Sequence, residues 1–493
     1  MPSPHKKSFA AEQLARRQKK VNPVVWILVG AAVIVMIIGI YVLYQRSVTE
    51  TQSNAEQINS VAVLPFVDMS PGQDQQYLGN GIADYIINKL TQIEGLRVID
   101  RTSSFQFRDK EDAIDEIGDK LNVDTVLEGS VQKIEDRLMI TAQLIRVSDH
   151  SHLFSKSFER EFRDLITVQN EISQAIAEIF KGTLSEQEQR ALVKRYTDDA
   201  EAYRLVMMAE ESVEKFEYGE ATEYMFKAVE KDPEFAYAIA FLATLYAFED
   251  KVDSAKIYVD KALELDNNLY TAWNARALIH FLEYNYPDAL SALKTAQSLN
   301  PGDAWAHIWQ ARFQYYLGRY NEALKEAHIA MELNPLDASP YALAIAINNN
   351  LDRYDDALEI YRKANELIPD NWYIHRHLGR LYYRRGEYDK ALEVLQKVND
   401  IPPIGITYAL MGEREKAVQI LRELEAGNTD DYLLYIPALY IALGNHEKAL
   451  DLLEHAINSE NRQLQTLYCD FEFDPVRDNP RFKALLRKMG LPE

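Results

Sequence analysis

Residues Tyr270–Pro301 read YTAWNARALIHFLEYNYPDALSALKTAQSLNP, and the placing of Ala277, Ala289, Ala296 and Pro301 within them recurs through much of the chain. Ala221, Ala255, Ala289, Ala323, Ala357 and Ala391 stand 34 residues apart. Seven residues beyond the first five come Ala228, Ala262, Ala296, Ala330 and Ala364, and Pro233, Pro301, Pro335 and Pro369 follow four of those. A fixed period of this length marks a helical repeat array. The alanines let the two helices of a unit approach closely, and the proline stops the second helix because it cannot continue one. A solenoid of helix pairs is therefore expected from about Ala200 to Pro403.

The spacing resembles the tetratricopeptide repeat family, whose positions 8, 20 and 27 are small and whose position 32 is proline. Trp372–Pro403 (WYIHRHLGRLYYRRGEYDKALEVLQKVNDIPP) fits as a sixth repeat through Leu378, Gly379, Tyr382, Tyr388 and Ala391. In that family the first helix of each unit lines a concave groove. The resemblance implies groove residues Tyr237 and Phe248 in repeat two, and Asn274 and Phe281 in repeat three. Repeat four adds Trp305, Ile308, Arg312, Tyr315 and Tyr316; repeat six adds Tyr373, Arg376, Arg380, Tyr383 and Arg384. Arg376, Arg380 and Arg384 are spaced to share one helix face. Guanidinium groups grip carboxylates through paired hydrogen bonds. The expected partner is thus a protein or peptide, acidic or offering a C-terminal carboxylate. The competing reading is a solvated face neutralised by nearby glutamates.

The 493 residues exceed one ordinary domain, so two or three are expected. The net charge of −22 is unevenly spread. In residues 1–22, six lysines and arginines against Glu12 leave +5, residues 23–44 are uncharged, and the remainder holds −27. Such an acidic bulk disfavours nucleic acid, whose phosphates need lysine and arginine. The lone Cys469 excludes an internal disulfide framework and a cysteine-rich zinc site.

Val24–Tyr44 is an apolar run of 21 residues, long enough to cross a hydrocarbon layer of about 30 Å. Trp26, Tyr41 and Tyr44 lie near its ends, where such rings favour the interface. The expectation is a single transmembrane helix over 23–44, with the basic tail 1–22 cytoplasmic and the rest periplasmic or otherwise extracytoplasmic. A cleaved signal peptide is the alternative, although its apolar region is usually shorter.

Residues 45–59 are polar and aperiodic and read as a linker. A small α/β domain is expected over 60–185. Val61–Phe66 and Leu96–Asp100 read as strands around a helix at Tyr77–Ile93, which suggests a parallel pair. A helix at Ala113–Leu121, a hairpin of Thr125–Ile134 with Leu138–Val147, a strand at Leu153–Phe158 and a helix at Leu165–Leu184 complete it. The motifs SVAVLPF, YLGNGIADYIINKL, LRVIDRTSSF, DEIGDKLNVDTVLEGSV and RLMITAQLIRV resemble the TolB amino-terminal-domain-like family of bacterial envelope proteins. That family often places this domain before tetratricopeptide repeats and after a winged-helix, cyclase or kinase domain. With 22 residues ahead of the apolar run, no such upstream domain is expected here. The solenoid is expected over 198–470, with shortened pairs around Gly412 and Gly444. Residues 471–493 form a cap through Phe482, Leu485, Leu486 and Met489.

Catalytic signals are weak. Gly79-Asn80-Gly81 lacks the third glycine and the lysine of a phosphate loop, and Gly129 in a strand reads as close packing. His375 and His377 point about 200° apart on a helix and cannot chelate together. His150 and His152 could share a strand face, but no third ligand is evident. Neither enzymatic chemistry, nor a metal, nor a cofactor is expected. The fold class is multidomain α+β/α: a transmembrane helix, a small α/β domain, then an all-α repeat solenoid. The expected function is an anchored non-catalytic scaffold. The alternatives are a signal sensor or regulator acting through a cytoplasmic partner, and a small-ligand-binding α/β domain.

Overall fold

Apolar runs between residues 60 and 161 build a six-stranded sheet. The computed structural model describes residues 58–108, 112–427, 432–458 and 464–493. Strands β1 (Ser60–Val63), β2 (Val67–Asp68), β3 (Arg97–Val98), β4 (Thr125–Ile134), β5 (Arg137–Arg146) and β6 (His152–Glu161) run in the order β3-β1-β4-β5-β6, with β2 also against β4. β1 is parallel to β3 and β4, while β4, β5 and β6 are antiparallel. The expected strand Val61–Phe66 is broken after Val63. Pro65 has no N–H for the ladder, and Phe66 N–H turns instead to the Gly79 carbonyl at 3.3 Å.

Helices α1 (Gln76–Leu90) and α4 (Leu165–Lys181) cover one face of the sheet. Leu78, Ile82 and Ile86 meet Val61, Leu127 and Val131 there in one buried cluster. The short α2 (Arg101–Ser104) and α3 (Ile114–Leu121) follow β3, and α3 packs Ile117 and Leu121 against Ala62 and Val126 on the other face. Gly79 and Gly81 lie inside α1, and their missing side chains are what the packing requires. A Cβ on Gly79 would stand 1.9 Å from the Phe66 carbonyl oxygen. Gly129 likewise leaves room for the Phe66 ring, as close packing predicts.

After α5 (Glu186–Val193) the chain forms eight helix pairs among the described residues. Repeats one to three are α6/α7 (Ala200–Glu214, Tyr218–Lys231), α8/α9 (Ala236–Phe248, Val252–Leu265) and α10/α11 (Tyr270–Leu282, Tyr286–Leu299). Repeats four to six are α12/α13 (Ala304–Tyr316, Tyr320–Leu333), α14/α15 (Ala338–Asn350, Tyr354–Leu367) and α16/α17 (Trp372–Arg384, Tyr388–Lys397). Then come α18/α19 (Ile401–Met411, Arg414–Ala426), α20/α21 (Tyr435–Ala442, His446–Asn458) and α22 (Pro480–Lys488). All six alanines of the 34-residue ladder are fully buried.

The period is written a second time in the backbone. Phe216, Asp250, Tyr284, Gly318, Asp352 and Gly386, also 34 apart, each adopt positive φ at the end of a first helix. There the next N–H bonds back over the turn, as Glu217 does to the Ser212 carbonyl at 2.9 Å. The ladder then slips, because α17 is ten residues long where α15 is fourteen. Pro402 and Pro403, expected to close repeat six, instead open α18, where the first-turn N–H groups have no helical partner to lose. Phe482, Leu485, Leu486 and Met489 are buried, and Arg481 reaches Glu447, Asp451 and Glu454 of α21.

The α/β part and the solenoid share one core rather than meeting through a linker. The buried cluster under the sheet continues through α6, α7 and α8 to Leu245. Further along, Asp100 N–H donates to the Leu333 carbonyl at 2.8 Å, and Gln106 to that of Leu336 at 3.1 Å.

One expectation is corrected. Among the described residues no helix is long and apolar enough to cross a membrane. The single-pass assignment and the extracytoplasmic localisation drawn from it are therefore withdrawn. The basic tail, the apolar run 24–44 and most of the linker lie outside the described residues.

Candidate functional site on the concave face

Asn371 caps α16 by accepting from the N–H groups of Tyr373 and Ile374, and this fixes where the arginine row begins. Arg376, Arg380 and Arg384 do share a face, and each already holds a group of this chain. Arg376 forks onto Asp400 at 2.5 and 2.7 Å and donates to the Tyr435 hydroxyl at 2.8 Å. Arg380 forks onto Glu472 at 2.8 and 2.6 Å and donates to Asp470 at 2.7 Å. Arg384 donates to Asn350 and pairs with Asp352, both at 3.2 Å. The carboxylates on Arg380 come from the chain's own segment Leu464–Val476, which lies across the inner face. Tyr383 donates to Glu472, and Phe471 sits beneath the guanidinium planes of Arg380 and Arg384.

Beside this segment the concave face keeps a cavity of about 660 Å³. Its apolar wall includes Phe248, Leu282, Ile406 and Leu434; its polar rim includes Tyr316, Tyr373, Arg376 and His377. Phe248 is 53% exposed, unusual for so large an apolar side chain. His377 is buried with its ring edge-on to Tyr373. Burial, then the charges of Arg380 and Arg376, hold its pKa well below the usual imidazole range, so the ring is neutral. An apolar concavity with a few converging polar groups is the ordinary form of a binding site. On the same side Arg312 stacks on Trp309, 5.0 Å from the ring centre.

Of the residues expected in the groove, the structure brings Phe248, Tyr316, Tyr373, Arg376 and Arg380 around the cavity. Phe281 is buried, stacked on Phe313 at 4.6 Å and grouped with Trp309 and Tyr316, while Trp305 lies against Trp309. Tyr315 and Ile308 are core residues, and Tyr315 accepts from Asn350. Tyr237 and Asn274 are occupied at the α/β side, where Tyr237 donates to Glu210 at 2.8 Å and Asn274 to Asp303 at 2.6 Å. Asp470, Glu472 and Tyr435 went unanticipated, because they come from the C-terminal segment and a helix beyond the regular ladder, while His377 on α16 was weighed only as a metal ligand.

A second polar cluster lies where the sheet domain meets repeat one. Arg101 pairs with Asp84 at 3.6 Å and with Glu214, and Arg108 pairs with Glu214 at 3.0 Å. Burial raises the Asp84 carboxyl against the pull of Arg101. Burial, then the charge of Asp84, raises Glu210 to about 8, opposed by Arg101 and by the Tyr237 hydrogen bond. Burial also raises Asp303 to about 6. This cluster is internal and joins two parts of the fold. Among the described residues no group of three or more histidine, cysteine or acidic side chains is placed to hold a metal ion. His150 bonds to Asp115 at 2.5 Å, and His375 bonds to the Asn371 carbonyl at 2.9 Å.

Two family models match separate stretches of the chain. Residues 351–403 match the tetratricopeptide repeat family. The chain carries a tetratricopeptide repeat solenoid. Residues 56–175 match the family described as HilA/YgeH-like transcriptional regulator, second domain, where the motifs pointed to a TolB-like domain. A relative named as an adenylate cyclase in Rhizobium meliloti (strain 1021) is 34% identical over 189 residues, 38% of this chain and 32% of that protein. The chain thus spans about a third of that relative's length. Among solved structures, Pseudomonas aeruginosa PilF is 19% identical, covering 39% of this chain and 90% of that one, with a TM-score of 0.35. A tetratricopeptide repeat protein from Parabacteroides merdae is 17% identical, covering 59% and 99%, with a TM-score of 0.36.

Proposed function

We propose that this protein is a non-catalytic scaffold that binds a protein partner on the concave face of its solenoid. The observation that carries the reading is the cavity of about 660 Å³ with half-exposed Phe248 in its wall and Tyr316, Tyr373 and His377 at its rim. An apolar side chain of a partner would enter against Phe248 and Leu282, and the polar rim would hold its backbone. The repeat-family match supports it, since such solenoids present extended concave binding surfaces.

The test is site-specific photo-crosslinking in the native host from position 248, with position 216 as control. Phe216 is 78% exposed at the turn between α6 and α7 and does not line the cavity. A discrete adduct from 248 that is absent from 216 and lost on Tyr373→Ala is the expected result. Equal adducts from both positions would remove the cavity from consideration.

A regulatory reading also has support. The α/β part matches a domain of a transcriptional regulator family, and the Rhizobium relative is named a cyclase. On that reading the same partner contact reports a signal to an effector carried by another protein. It predicts that the partner captured from position 248 is itself an enzyme or a DNA-binding protein.

A further inference from the structure

The segment lying on the arginine face enters the solenoid core through fully buried Leu467 and Phe473 and meets the arginines through its acidic and aromatic side chains. Its backbone turns on itself: the Cys469 and Asp470 N–H groups both return to the Thr466 carbonyl at 2.9 Å, and Phe473 N–H returns to that of Asp470 at 3.2 Å. The solenoid grips it through side chains. Arg380 forks onto Glu472 and reaches Asp470, Phe471 lies under two guanidinium groups, and the Asn350 amide donates to the Cys469 carbonyl at 2.7 Å. Its carboxylates also line the cavity beside it, so segment and cavity form one continuous surface.

We infer that Thr466–Phe473 is an internal ligand of the concave face, and that the partner peptide taken there has the same acidic–aromatic–acidic chemistry and competes with it. This rests on the concave face being a binding surface and specifies what it binds. Charge complementarity sets the partner's chemistry. Arg380 is matched by two carboxylates two positions apart, with an aromatic ring between them that stacks on Arg380 and Arg384. A partner segment with that spacing makes the same contacts from another chain. Its apparent affinity is reduced by the fraction of molecules in which the internal copy is seated.

Cys469, the single cysteine of the chain, is buried while the segment is seated and reports its release. The experiment uses the full chain and a synthetic peptide of residues 466–473 with Cys469→Ser. Saturating peptide should raise the rate at which a thiol reagent modifies Cys469 at least tenfold, and a peptide of scrambled order should leave the rate unchanged. Fluorescent peptide should bind a Glu472→Gln chain at least tenfold more tightly than wild type, with helical content checked by circular dichroism. If that variant fails to fold, the wild-type thiol assay decides alone. An unchanged Cys469 rate at saturating peptide overturns the inference, because the segment is then a permanent part of the solenoid. The broader reading of the concave face fails separately, through the crosslinking from position 248.

Discussion

Arg380 and Arg481 each hold more than one carboxylate, and they differ in how much water reaches them. Arg380 is 12% exposed, and its partners Asp470 and Glu472 are 12% and 8% exposed. Arg481 holds Glu447, Asp451 and Glu454, is 35% exposed, and has partners open to solvent. Removing one member of a buried ion pair leaves charge that nothing screens, at a loss of about 3–5 kcal/mol. Removing a member of an exposed pair loses little, since water replaces the partner. Arg380→Met should therefore lower the urea midpoint of helix unfolding strongly, and Arg481→Met only slightly.

The sign of the pH dependence follows from the same geometry. Burial raises the Asp470 carboxyl even against the pull of Arg380, so without Arg380 its protonation relieves the site and stability falls as pH rises. The Arg380→Met defect should accordingly be larger at pH 8 than at pH 5. Equal losses from the two arginine variants, or a defect that grows on acidification, would refute the burial argument.

Four further outcomes follow at Glu210, Gly79, Gly219 and Phe216. Glu210, raised to about 8, contributes stability that is fully present below the ordinary glutamate range near 4.5 and is lost as pH climbs to about 8. Denaturant melts at pH 5 and pH 9 should differ less for Glu210→Gln than for wild type. Gly79→Ala should lose about 1–3 kcal/mol or more, because its Cβ meets the Phe66 carbonyl at 1.9 Å. Gly219→Ala, on an open helical site, should gain up to about 1 kcal/mol in the same melts. Phe216→Gly should stabilise by about 1 kcal/mol, since a left-handed φ of 61° strains a side chain that is mostly in water; a lower melting temperature would contradict this.

Much of the fold was legible because its signals are local. Alanine at 34-residue spacing states which positions touch, and alternating apolar residues placed β4, β5 and β6 within a few residues. Pro65 was read as ending the first strand, which stops two residues earlier at Val63, but the helix start at Pro402 was missed. Proline's missing N–H can either end one element or open the next, and only the neighbouring packing decides. The site was half legible. Helix periodicity put Arg376, Arg380 and Arg384 on one face, but it could not say that Asp400, Asp470 and Glu472 reach them from 24 to 92 residues away. Likewise Tyr237 and Asn274 hold groove positions by repeat arithmetic, yet Glu210 and Asp303 of the solenoid itself already occupy them.

The return of Asp470 and Glu472 to Arg380 also bears on how this array can change length. In an ordinary solenoid each unit touches its neighbours alone, so whole repeats can be added or deleted and the rest continues unaltered. Here two long ties fix the count. One runs from Glu472 back to Arg380, and the other joins Asp100 to the Leu333 carbonyl. Inserting 34 residues anywhere between the tied positions would carry the partners one helix pair apart and break a tie, however well the new repeat stacked. The chain therefore behaves as a measured part, with its repeat number set by contacts at long range rather than free to drift.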